Sequence, residues 1–211
     1  MNEDELWPII HRERGRLADL LATLTPDEWD APSLCDGWRV RDVAAHAITS
    51  ADYSTPGMLL GALRVRGDFN RLMDRMAREQ GSRPTTEILE RYRRNATSRR
   101  RPPVTQPLDP LVDVLVHSQD IAIPLGREHP MPAEPARLAA RFVVDRGFPY
   151  EALRKNPGIR FQATDVEFEA GDGEPARGPI SAILLALTGR RARWDRLSRA
   201  DQPRVPFGPS S

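Results

Sequence analysis

The sequence predicts a mainly α fold, in which an all-helical region of about 150 residues is followed by a small α+β module; three observations carry that expectation. Leu6, Ile9, Ile10, Leu17, Leu20, Leu21 and Leu24 recur at roughly the spacing of one helix face. The segment 109–122 is so dense in apolar residues that a helix there has almost no solvent face. After Gly158 the texture changes: Ile159-Arg-Phe-Gln-Ala163 and Val166-Glu-Phe-Glu169 alternate apolar and polar residues, as half-buried strands do.

The elements follow in order. A first helix covers 6–24, and Thr25-Pro-Asp-Glu28 ends it while opening a short new turn. Residues 31–37 read as loop, and a helix follows over 40–53. Two more helices are expected at 57–78 and 85–98, the second with a capped start at Pro84-Thr-Thr-Glu87. The prolines of 99–107 make a linker, after which Asp109 reads as the N-cap and Pro110 as the first helical residue. That helix breaks at Pro124 and Gly126, and another is expected over 135–146. Gly171-Asp-Gly173 supplies turn chemistry, and 178–187 reads as an apolar helix. The tail from 202 carries three prolines and two terminal serines, a composition that predicts disorder. The pattern divides the chain into 1–150, 151–201 and the tail 202–211, with no internal repeat.

Composition excludes some function classes. Charged residues are 29% of the 211, yet the net charge is only +1, so there is no global electrostatic case for nucleic acid. Arg91, Arg93, Arg94 and Arg99 to Arg101 form a dense basic cluster, but without interleaved aromatics it reads as a solvated face. No stretch approaches 18 apolar residues, and the acidic start lacks the pattern of a signal peptide, so no membrane association is expected. A single cysteine, Cys35, cannot form an internal disulfide and fits a reducing compartment. A soluble cytoplasmic protein is the expectation.

The chemistry concentrates in two segments. In Asp109-Pro-Leu-Val-Asp-Val-Leu-Val-His-Ser-Gln-Asp120, Asp113 and His117 stand four apart and share a helix face, and Asp120 extends the stripe. Polar groups in so apolar a helix are expected to be buried, and buried carboxylates and imidazoles must be paired, hydrogen-bonded or bound to metal. His46, on another helix, is a third ligand-type residue, and three protein ligands with an open position is the arrangement of a catalytic zinc site.

Trp38 followed by Arg41-Asp42 and His46, then Asp113-x-x-x-His117-x-x-Asp120 with Pro124-Leu-Gly126, then Ala163-Thr-Asp165 and Gly189-Arg190, resemble the maleylpyruvate isomerase family of mycothiol-dependent enzymes, within the DinB-like metal-binding superfamily. The resemblance covers about residues 5–200. It implies a DinB-like four-helix bundle that holds a divalent metal, usually zinc, followed by a smaller α+β domain closing over the site. Carried across residue by residue, the metal ligands fall on His46, Asp113 and His117; where the family pattern has glutamate, this sequence has the shorter Asp113.

Asp120 reads as a fourth ligand, as an outer partner holding an imidazole tautomer, which is preferred to the ligand, or as a helix-end residue that caps locally. Trp38 is expected to pack the bundle, and Asp42 either caps the His46 helix or faces solvent. Cys35 has no flanking base or cation, so no catalytic thiol is expected there. Arg190, after Gly189, suits a charge complementing the end of an apolar helix or a clamp for a carboxylate, and the clamp is preferred as a catalytic role. The function implied is a metal-dependent enzyme with mycothiol, or another low-molecular-weight thiol, as cofactor or co-substrate. It would isomerise a small electrophile or transfer the thiol to it. The rival is a non-catalytic metal- or ligand-binding bundle with a regulatory role.

Overall fold

Local capping and one-sided apolar faces set up the first helices. Asn2 and Glu5 close a reciprocal capping box, with Glu5 N donating to Asn2 Oδ1 at 2.9 Å and Asn2 N to Glu5 Oε2 at 3.0 Å. Helix α1 (Glu3–Ala22) then buries Leu6, Ile10, Leu17 and Leu21. Thr25 and Glu28 form a second capping box that opens α2 (Pro26–Asp30). The computed structural model describes residues 2–52, 69–102, 105–147 and 149–199; residues 57–68 of the helix expected over 57–78, and the tail 202–211, lie outside them.

The bundle is completed by α3 (Val40–Asp52), α4 (Phe69–Gly81), α5 (Thr85–Asn95) and α6 (Asp109–Ala122). Helix α1 packs on α5 and α6, and α3 packs on α4, α5 and α6, so α1, α3, α5 and α6 share a core that includes Leu17, Ile48, Ile88, Leu111 and Ile121. Asp42 settles between its two expected roles in favour of the cap: it is fully buried and accepts from Arg39 N at 3.0 Å and Arg39 Nε at 3.1 Å, tying down the start of α3. Arg41 then latches the end of α4, donating to Gly81 O at 2.6 Å and Arg83 O at 2.7 Å.

Two starts differ from expectation. Leu108 already has near-helical angles (φ −84, ψ −15) and is the N-cap of α6, so Asp109 lies inside the helix and turns its carboxylate back to accept from Gln106 N at 2.7 Å. Helix α5 has Pro84 as N-cap, which offers no side-chain acceptor, and an Arg83–Glu87 ion pair stands beside it.

The chain divides into two compact units, Met1–Pro130 and Met131–Ser211, so the boundary falls twenty residues before the one read from the sequence. The reason is α7 (Ala133–Arg146), whose small face of Ala136, Ala139, Ala140 and Val143 packs on the wholly apolar α8 (Ile180–Leu187) in the second unit. That unit holds a sheet of order β2-β1-β3-β4, built from β1 (Ile159–Ala163), β2 (Glu169–Gly171), β3 (Glu174–Gly178) and β4 (Ser198–Arg199). β1 is antiparallel to β2 and parallel to β3, and β3 is antiparallel to β4. The second strand begins three residues later than its alternation suggested, because Ala163 N bonds Phe168 O and commits 164–168 to the turn. β3 and β4 had no apolar alternation to announce them.

Candidate metal centre

Three segments of the first unit converge. Helix α3 carries His46, helix α6 carries His117 and Asp120, and the 31–39 loop carries Cys35 and Trp38. Packing of α3 on α6 brings the His46 and His117 rings edge to face with centroids 5.0 Å apart. Trp38 lies against His46 at 5.1 Å and donates its indole N–H to Asp74 Oδ1 at 2.8 Å, so it does more than fill the core.

The loop is held by its backbone. Leu34 N donates to Asp120 O at 3.0 Å, Trp38 N to Cys35 O at 2.9 Å and Cys35 N to Ser33 Oγ at 3.1 Å. The Cys35 thiol therefore meets Asp120, donating to Oδ2 at 3.2 Å, while His117 Nδ1 reaches the same oxygen at 2.9 Å. Asp120 is fully buried, His117 nearly so and Cys35 half-buried. Among the described residues, Cys35, His117 and Asp120 are a group whose ligand-type atoms all lie within 4.8 Å of one another. The donor set of thiol, imidazole and carboxylate fits a divalent ion of zinc's character.

Burial alone would push the His117 imidazole down, but the hydrogen bond to Asp120, the contact with Cys35 and the nearby negative charge outweigh it and raise it to about 10. Without a metal the ring is an imidazolium at neutral pH, paired with a carboxylate.

Asp113 and His46 are both half-buried, and neither is in the ligand-atom group. The Asp113 carboxylate acts on Arg14, a guanidinium only 2% exposed: burial pushes Arg14 down, and Tyr92 and Asp113 work against that. Arg14 also donates to Ser98 O at 2.7 Å and lies over the Trp7 ring. The fold thus brings His46 beside His117 and Asp120 onto His117, and puts Asp113 within electrostatic reach of Arg14 in α1.

Cys35 is the residue that sequence reasoning set aside. Its hydrogen-bond partner Asp120 is 85 positions away on α6, so no flanking residue could have signalled it. Arg190 lies in the second unit, where Gly189 (φ +88) ends α8 in a left-handed turn: Gly189 N bonds Ala186 O and Arg190 N bonds Leu185 O. The Arg190 guanidinium donates from one nitrogen to Thr188 O at 2.7 Å. The same unit has an open groove of about 730 Å³ lined by Arg137, Arg141, Gln162 and Arg177 among others; Arg190 is not in its lining.

Residues 10–109 match the family model described as the mycothiol maleylpyruvate isomerase N-terminal domain. Two solved structures, mycothiol-dependent maleylpyruvate isomerase and a mutant of it with one histidine replaced by alanine, each superpose with a TM-score of 0.67 at 12% identity, over 99% of this chain and 97% of that chain. At that identity the likeness establishes the fold, a helical bundle with a small C-terminal α+β part. No curated protein sequence matches the chain.

Proposed function

Because residues 10–109 match the family model of the mycothiol maleylpyruvate isomerase N-terminal domain, we propose that the protein is a divalent-metal-dependent enzyme that uses a low-molecular-weight thiol, mycothiol first among them, on a small electrophilic substrate. The observation that supports this best is the buried His117–Asp120 pair with His46 edge-on beside it and a thiol on the same carboxylate. His117 is common to the ligands the sequence points to, His46, Asp113 and His117, and to the group of Cys35, His117 and Asp120.

A bound zinc ion would supply one thing, the ionisation at neutral pH of a thiol that coordinates it. The chain's own residues do the rest. Asp120 fixes the orientation of the His117 ring, and Trp38, anchored on Asp74, walls the His46 side. Arg190 is the candidate partner for a substrate carboxylate, with one guanidinium nitrogen on Thr188 O. Addition of the thiol sulfur to an activated double bond, rotation and elimination would give an isomerase; release of the adduct would give a transferase. The substrate is not fixed by fold or family.

The test is to purify the protein without chelator, measure metal per chain, and then follow loss of maleylpyruvate and related electrophiles with and without mycothiol. One divalent ion per chain and thiol-dependent turnover are expected. Metal binding with no thiol-dependent turnover across the electrophiles favours the non-catalytic bundle.

A further inference from the structure

Resting on the reading of a metal centre at His117, we infer that Cys35 is itself a metal ligand, so that the metal is held among Cys35, His117 and Asp120, with Asp120 then a ligand and not only the partner that orients the His117 ring, His46 edge-on beside the site and Asp113 outside it. The spacing suits this. Ligands on a tetrahedral ion with bonds of about 2.0 Å to nitrogen and oxygen and about 2.3 Å to sulfur stand roughly 3.3–3.5 Å apart. Here the sulfur is 3.2 Å and the imidazole nitrogen 2.9 Å from Asp120 Oδ2. These two distances need open by only a few tenths of an ångström, and the sulfur and the imidazole nitrogen lie within 4.8 Å of each other.

What joins the three side chains is a pair of hydrogen bonds converging on one carboxylate oxygen. A cation among the three would take the place of both bridging protons. The sulfur is also fixed independently of its side-chain bond. Leu34 N bonds the backbone carbonyl of Asp120 itself, and Cys35 N and Cys35 O are both engaged within the loop, so the thiol is delivered to Asp120 by main-chain geometry.

Burial is graded in the way an accessible metal site requires. Asp120 is fully buried and closes one side, while the half-buried Cys35 forms the edge a ligand would approach. Asp113, meanwhile, supports the buried charge of Arg14. A thiolate ligand makes the centre soft, selecting zinc or cobalt over magnesium. Any co-substrate thiol would then enter as a second sulfur.

Cobalt(II) substitution tests this by a readout independent of turnover. Wild-type protein should bind about one cobalt per chain and show a sulfur-to-cobalt charge-transfer absorption in the near ultraviolet. Cys35→Ser, checked for unchanged helical circular dichroism, should lose that absorption and bind cobalt at least about tenfold more weakly. Stoichiometric cobalt in the wild type with no charge-transfer band overturns Cys35 as a ligand and leaves the metal centre standing. No binding of cobalt or zinc by the wild type overturns both.

Discussion

The carboxylate of Asp120 holds the imidazole of His117, with Oδ2 2.9 Å from Nδ1, at a position fully shielded from solvent. The pair spans one helical turn and couples protonation to stability at the point where the metal is proposed to bind.

The first prediction concerns pH. In metal-stripped protein the folded pKa of His117, about 10, lies above its ordinary 6.5. The imidazolium pairing is therefore fully stabilising below pH 6.5 and is lost as pH rises from there through 10. Melting temperature should fall across that window in the wild type. Asp120→Asn removes the charge that raises the ring, so His117 should titrate well below pH 10 by NMR, and the alkaline fall in melting temperature should shrink. An unchanged histidine titration in this variant would refute the pairing.

A second prediction separates the two histidines. His46→Ala and His117→Ala should each lower zinc content while leaving helical circular dichroism near wild type, because the apolar core of the bundle stays in place. His117→Ala should also melt at lower temperature than His46→Ala, since it leaves the buried Asp120 carboxylate without its cation, a loss on the order of 3 kcal/mol. Equal zinc content in wild type and both variants would remove these residues from the centre.

How much of this was legible depends on how far apart the partners sit. Asp120 and His117 are three residues apart on one helix, so their pairing follows from helical geometry, and α6 itself follows from its apolar density. The convergence of Cys35 on Asp120 spans 85 positions and is set by a backbone bond from Leu34, which no local pattern encodes. β3, with the sequence Glu-Pro-Ala-Arg-Gly, lacks the alternation of a strand and forms because β1 is beside it. The assignment of α7 to the second compact unit is illegible for a similar reason: α7 is recognisable as a helix, but its partnership with α8 is a matter of packing.

The third prediction divides two roles for Asp113. If its carboxylate serves chiefly as counter-charge to Arg14, Asp113→Asn should lower stability by up to about 3 kcal/mol in chemical denaturation and leave zinc affinity within about threefold of wild type. Asp113→Glu, which keeps the charge, should recover much of that stability. A loss of zinc affinity of tenfold or more in the asparagine variant, restored by glutamate, would instead make Asp113 a ligand.

The last prediction concerns the joint that places the His46 helix. Glycine in a helix is ordinarily less stable than alanine by about 1 kcal/mol, so replacing one at an exposed site stabilises. Gly81, the last residue of α4, should behave in the opposite sense. A Cβ built there would lie 2.1 Å from Asp42 Oδ1 and 2.8 Å from Asp42 Cα, and the second of these is backbone, which no rotamer change can move. Asp42 is at the same time the cap of α3 and the acceptor for Arg39, while Arg41 bonds the carbonyl of Gly81. Gly81→Ala must therefore push α4 away from the start of α3 and loosen the helix that carries His46. Its melting temperature should drop by several degrees, and zinc should bind more weakly although no ligand has changed. A Gly81→Ala protein as stable as the wild type would mean that α3 and α4 do not meet this closely.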